Sequence, residues 1–239
     1  MGNRNILSIG NTKTAKGESK GYMTGILHLA PGELAGVQVC PKASAGCLAA
    51  CLNTAGRGRF DKIQKARIAK TRWLFDDRKG FMQALVWSIE ATIRKAGREN
   101  MTPVIRLNGT SDLPWEKFRC VRGGVEYRNV IEAFPEIQFY DYTKIAARAI
   151  KWAQGDMPAN YHITFSAAED NEQSCRIVSM AGGNVAVVFD QVPESWYGRR
   201  VVNGDETDLR FLDPAGVVVG LKAKGDAKYD NSGFVRKVA

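Results

Sequence analysis

Residues 137–166 read IQFYDYTKIAARAIKWAQGDMPANYHITFS. An apolar run, Ile137–Tyr140, ends in the polar Asp141-Tyr142-Thr143-Lys144. A helical stretch follows over Ile145–Ala153, and a second apolar run, Tyr161–Phe165, ends at Ser166. Two short, nearly continuous apolar strands joined by a helix point to parallel neighbours. An antiparallel partner needs only a tight turn, whereas a parallel crossover needs a dozen or more residues. The unit repeats along the chain. Upstream lie a strand at Ile26–Leu29, helices over Phe60–Asp76 and Gly80–Lys95, a strand at Val104–Leu107 and a helix near Tyr127–Phe134. Downstream come a helix over Asn171–Met180 and strands at Val185–Phe189 and Val217–Leu221. In the second long helix Phe81, Leu85, Ile89 and Ile93 recur every four residues beside Ala84, Ser88, Thr92 and Ala96, a core-facing stripe. Six strands alternating with helices predict an α/β fold, a partial (β/α)6 TIM-like barrel.

At 239 residues with 44% hydrophobic content the chain fits one domain. The expected division is a polar arm over 1–22, a barrel core over 24–190, and a C-terminal strand and tail over 191–239. No apolar run approaches bilayer length and the start lacks a secretory apolar segment, so a cytoplasmic protein without membrane contact is expected. Gly2 does not make a myristoylation signal, because Ile6 stands where that signal needs Ser or Thr.

Ligands of parallel sheets bind beyond the carboxyl ends of the strands. The residues that leave each strand are therefore the first candidates. They are a cysteine loop after the first strand; Asn108, Thr110, Ser111 and Asp112 after the second; Thr143 and Lys144 after the third; Ser166 after the fourth; and Asp190 after the fifth. Loops and helix caps also require such residues, so each one alone is equally a cap.

The cysteine loop runs Cys40-Pro-Lys-Ala-Ser-Ala-Gly-Cys47-Leu-Ala-Ala-Cys51. Its gaps of six and three residues place three thiols on one compact loop, with Cys47 and Cys51 on one face of a helical turn. Three such thiols suit an iron–sulfur cluster, specifically [4Fe-4S]. Zinc needs a fourth N or S ligand, and His28, His162, Cys120 and Cys175 are scattered; structural thiols are the third reading. Cys120, after the second strand, is the rival ligand that would close a cluster.

Net charge is +9, and Arg57 to Lys79 holds nine basic residues against three acids, a net of +6. This stretch is either a solvated helix face or a phosphate-facing patch, and in the second case Arg57, Arg59, Lys62, Lys65 and Lys70 contact DNA or RNA. The acids Asp205, Glu206, Asp208 and Asp213 around Arg210 read as turn residues paired with that arginine, or as divalent-metal ligands.

The cysteine loop after the first of six strands resembles the partial barrel of the radical SAM superfamily, although the cysteine spacing there is three then two. What that resemblance implies is S-adenosylmethionine on an open iron. Asn108, Thr110, Ser111 and Asp112 would then hold its amine, with Thr143, Lys144, Ser166 and Asp190 toward ribose, carboxylate or substrate. Residues 24–190 also resemble the gene-product-88-like family of phage proteins. The motifs that carry this likeness are Cys40-Pro41 with Cys47 and Cys51, Arg106-Leu107-Asn108-Gly109-Thr110-Ser111-Asp112, and Phe139-Tyr140-Asp141-Tyr142-Thr143-Lys144. It implies a phage-encoded protein in an infected bacterial host. Two classes follow: a radical SAM-like enzyme acting on nucleic acid or nucleotides, and a non-catalytic iron–sulfur nucleic-acid-binding protein.

Overall fold

The computed structural model describes residues 5–10, 12–54 and 56–238, without the side chains of residues 12–14, 54 and 57. Gly2 and the side chain of Arg57 thus lie outside the described residues.

The strands in chain order are β1 (Leu7–Ser8), β2 (Tyr22–Leu27), β3 (Thr102–Arg106), β4 (Cys120–Arg122), β5 (Val125–Tyr127), β6 (Gln138–Thr143), β7 (Tyr161–Ser166), β8 (Val185–Phe189), β9 (Ser195–Trp196), β10 (Arg199–Asn203), β11 (Val218–Lys222) and β12 (Val235–Arg236). The helices are α1 (Thr12–Glu18), α2 (Ala45–Ala49), α3 (Asp61–Asp76), α4 (Arg78–Arg98), α5 (Val130–Ala133), α6 (Ala146–Ala153) and α7 (Glu172–Met180). The fold is α/β on a mostly parallel, mixed sheet of ten strands in the order β1-β2-β3-β6-β7-β8-β11-β10-β9, with β12 added on β8. β2, β3, β6, β7, β8 and β11 all run parallel in chain order, as successive strand–helix units require. The hydrogen-bonded path ends at β1 and β9 and does not close on itself. β7 pairs with β8 only at its last residues, Phe165 and Ser166, and β12 takes over beside Val188 and Phe189.

One face of the sheet carries the main core. Leu27, Ile105, Phe139, Ile163 and Phe165 pack there against Phe81, Leu85 and Ile89 of α4 and against Trp115, all with no exposed surface. Each such side chain contributes about 1.5–3 kcal/mol by leaving water. Asp77 caps α4 by accepting from the Gly80 amide at 2.9 Å. On the opposite face Val104 and Tyr140 meet Leu209, and Phe211 lies against the rings of Tyr22 and Tyr140. The segment after β10 therefore plugs this face toward the amino ends of the strands and leaves it open at their carboxyl ends.

Three expectations need correction. The stretch Tyr127–Phe134 is helical only over Val130–Ala133, and the β4–β5 hairpin precedes it. Its turn is Gly123-Gly124, with φ of 58° and 82°. That backbone is the type that matches hairpin twist, and glycine adopts it freely. Residues 191–239 hold more than one strand and a tail: they supply β9 to β12 and the plug. The polar arm holds α1. No helix among the described residues is long and apolar enough to cross a membrane.

Candidate metal centre and strand-end cavity

A cavity of about 490 Å³ opens at the carboxyl ends of the parallel strands. Cys40, Cys47 and Cys51 all line it, and none is in a disulfide.

The loop is held in place at several points. Val39 N donates to Gly32 O at 3.1 Å, and Asp112 N donates to Val39 O at 2.8 Å, which ties the loop to the end of β3. Cys40 Sγ accepts from Gly32 N at 3.4 Å and lies 3.8 Å from Thr110 O. Ser44 caps α2, its Oγ accepting from Cys47 N at 3.1 Å and donating to Glu169 Oε2 at 2.7 Å. Glu169 Oε1 accepts from Gly46 N at 2.7 Å, so one carboxylate from the end of β7 clamps the helical turn that carries Cys47. Gly46 has no substitute here, because a Cβ would fall 2.2 Å from Ser232 Oγ and 2.8 Å from Phe234 Cβ. Cys51 Sγ accepts from Asn53 N at 3.5 Å.

Burial pushes the Cys40 thiol up to about 11, with Cys51 and Cys47 adding to the shift. Cys51 is raised chiefly by burial too, with Cys47 adding, while Arg67 and Lys144 oppose it. Cys40 and Cys51 thus each feel a neighbouring thiol. Among the described residues, no group of three or more His, Cys, Asp and Glu gathers about a point that would hold one metal ion. His28, His162, Cys120 and Cys175 do not line the cavity. The three thiols are thus one N or S donor short of a structural zinc site, and thiolates are the donor type that an iron–sulfur group takes.

The wall facing the thiols comes from the ends of β3, β6 and β7. Asn108 organises its own loop: Oδ1 accepts from Ser111 Oγ (2.9 Å), Leu113 N (2.9 Å) and Trp115 Nε1 (3.0 Å), and Nδ2 donates to Leu113 O (3.0 Å). Thr110 Oγ1 donates to Leu29 O at 2.6 Å. Asp112 is 8% exposed and accepts from Thr143 Oγ1, Lys144 N and Arg148 Nη1 at 2.8, 2.8 and 2.9 Å. Burial raises its pKa and Arg148 opposes the shift. Arg148 in turn makes a bidentate pair with Glu116, both contacts 2.9 Å, and meets Tyr161 OH at 3.0 Å. Beneath lies Asp141, fully buried, accepting from Asn108 N at 2.6 Å and Tyr161 OH at 2.8 Å, its carboxyl pushed up by burial to about 7. Lys144 Nζ donates to Ser166 Oγ at 2.7 Å and sits 5.5 Å over the Phe234 ring. Among the described residues no carboxylate pairs with it.

A third wall joins residues far apart in the chain. Arg106, on β3, pairs with Asp208 at 2.6 Å and lies 4.8 Å over the Tyr142 ring. Asp205 pairs with Lys224, accepts from Lys222 N at 2.9 Å through its carboxylate, and receives Lys16 Nζ of α1 on its carbonyl at 2.5 Å. The acids around Arg210, expected as its turn partners or as divalent-metal ligands, thus divide. Asp213 does pair with Arg210, at 3.1 Å, while Asp205 and Asp208 line the cavity.

Two site expectations fall. Asp190 is exposed, does not line the cavity, and accepts from Gln191 N (2.7 Å) and Val238 N (3.1 Å), tying down the C-terminal tail. Cys120 sits on β4 inside the main core, 4% exposed, with Arg122 and Glu132 as its charged neighbours; it is not on the cavity. Of the basic residues, Arg59, Lys62 and Lys65 are exposed. Lys70 is half-buried and donates to Ile6 O at 3.3 Å, and Arg67 turns inward. Tyr140 is core, Trp152 packs edge-on to His162, and Tyr142 faces the cavity.

A family model described as Gene product 88 matches residues 5–238. No curated protein and no solved structure matches the chain.

Proposed function

The chain belongs to the gene product 88 family, and from that premise we propose that it is a phage-encoded iron–sulfur protein with a radical SAM-like site at the cavity. The observation that carries this reading is the count of donors: three thiols of one loop line the cavity, and no fourth thiol or imidazole does so among the described residues. A four-iron cluster on three thiolates has one iron free to chelate the amine and carboxylate of S-adenosylmethionine, the chemistry of radical SAM enzymes. Six parallel strands in chain order, with the cysteine loop after the first, support reading the sheet as a partial (β/α)6 barrel.

The chain's own groups then divide the work. Lys144, a cation without a carboxylate partner among the described residues, suits a ligand carboxylate, and Ser166 and Thr143 lie beside it on the cavity wall. Asp112 is engaged by Arg148, so it orients this wall and is not the counter-charge for an ammonium. The exposed Arg59, Lys62 and Lys65 favour a nucleic acid or nucleotide as the molecule acted upon.

The test is anaerobic reconstitution. Brown protein with about four irons per chain is expected, and Cys40→Ala, Cys47→Ala and Cys51→Ala each lose it. Added S-adenosylmethionine perturbs the reduced cluster's paramagnetic resonance and yields 5′-deoxyadenosine. Colourless protein with stoichiometric zinc overturns the cluster. A spectrum indifferent to S-adenosylmethionine leaves a non-catalytic iron–sulfur protein.

A further inference from the structure

Arg67 belongs to the basic stretch, yet it does not face solvent with Lys62 and Lys65. It is 9% exposed on the inner side of α3, and its Nε is buried without a hydrogen-bond partner. Its Nη1 donates to Asn53 Oδ1. Asn53, 2% exposed, is gripped from the same helix by Gln64, whose Nε2 donates to Asn53 O at 2.9 Å and whose Oε1 accepts from Asn53 Nδ2 at 2.8 Å. The Asn53 amide is the group that donates to Cys51 Sγ. The turn carrying Cys51 is thus fastened to α3 by a buried arginine.

Taking a guanidinium out of water is costly unless an anion compensates it. Among the described residues no Asp or Glu pairs with Arg67. Asn53 is neutral, and so is a protonated thiol. Among the described residues, the titratable group whose charge reaches the guanidinium is Cys51. A metal-bound cysteine stays thiolate at neutral pH, so a thiolate–metal group at this loop supplies the anion that the buried cation lacks.

We infer that Arg67 is the counter-cation of the Cys51 end of the metal centre, a positioning residue that holds the Cys51 turn and biases the cluster toward its reduced form. This rests on the iron–sulfur reading of the site. Reduction adds negative charge, and a cation fixed nearby in a poorly solvated setting favours the more negative state.

The test compares the parent with Arg67→Met and Arg67→Lys after anaerobic reconstitution, reading iron content and midpoint potential. In Arg67→Met the ratio of reduced to oxidised cluster at a fixed potential is expected to fall about tenfold, equivalent to about 59 mV for a one-electron couple. Arg67→Lys should recover most of it. The metal-free proteins are melted in parallel: Arg67→Met should stay near the parent, because removing an uncompensated buried charge offsets the lost hydrogen bond to Asn53 Oδ1. An unchanged potential, or Met and Lys variants that behave alike, overturns the inference while leaving the cluster in place. A metal-free Arg67→Met that melts well below the parent reduces Arg67 to a structural anchor and overturns it too. A parent that takes up no iron removes the cluster reading, and the inference with it.

Discussion

On the strand-end wall of the cavity Asp112 accepts three hydrogen bonds and the Asn108 side chain takes part in four, and on the adjoining third wall Arg106 is paired with Asp208. On the cysteine wall three half-buried thiols, none in a disulfide, line the same cavity. Both walls carry residue types that bind ligands, but the carboxylates and amides of the first are largely spent on one another, with Lys144 the cation that lacks a carboxylate partner among the described residues, whereas the second presents three thiols of one loop to the cavity. Polar residues at strand ends therefore divide into those that build the rim and those that face the ligand. The division depends on which long-range partner reaches each one.

Breaking the rim has the largest expected effect. Asp112→Ala leaves Arg148 buried with one of its two anions gone, and loss of one partner from a buried pair costs about 3–5 kcal/mol. Chemical denaturation of the metal-free protein should show that loss directly. A variant with parental stability and impaired ligand binding alone would mean that Asp112 faces the ligand and that the two walls do not differ as argued.

The next prediction asks whether acid sensitivity belongs to the carboxylates of the rim or to the far end of the sheet. His162, on β7, is 8% exposed, packs edge-on to Trp152 at 4.4 Å, and has a buried Nε2 without a partner. Burial, with Arg210 adding, lowers its pKa to about 4 from an ordinary 6.5. The unfolded chain therefore binds the proton more tightly, so this histidine's contribution to stability is full above pH 6.5 and is lost as the pH falls toward 4. Asp141 acts in the opposite sense: its carboxyl is raised to about 7, so acidification through that window favours the folded state. The clean measurement is the difference between the parent and His162→Gln. It should move by roughly 2–3 kcal/mol in favour of the variant between pH 7 and pH 4. Parallel pH profiles would assign the acid response to the rim.

Much of this architecture is legible in local pattern. Each of the six strand candidates overlaps an observed strand, α4 falls where four-residue periodicity puts it and α3 overlaps the helix expected over Phe60–Asp76, because a buried strand or an amphipathic helix writes its environment into adjacent residues. The Gly123-Gly124 turn between alternating residues is a hairpin signal that outweighs the helical reading of Tyr127 onward. The third wall has no such local trace. Asp208 reaches Arg106 across 102 positions, and Glu169 reaches Gly46 across 123, so only the assembled sheet brings them together. Cys120 illustrates the converse. Its place after the second strand suggests the cavity, but the hairpin carries it into the core.

The smallest expected change in stability tests the outer surface beside the thiols. Lys62 and Lys65 are exposed on the first turns of α3, the helix that holds the Cys51 turn from its inner side. Lys70 is a poor choice for reversal because it also holds the Ile6 carbonyl. Lys62→Glu with Lys65→Glu should leave unfolding within about 0.5 kcal/mol of the parent, as surface substitutions usually do. Phosphate contacts displace counterions, so if these lysines meet a nucleic acid, the slope of log affinity against log salt should become shallower by about one per lysine removed. Fluorescence anisotropy with single- and double-stranded oligonucleotides across a salt series reads that slope, and it should be insensitive to base sequence. An unchanged slope would make this face a solvated helix surface and confine recognition to the cavity and its third wall.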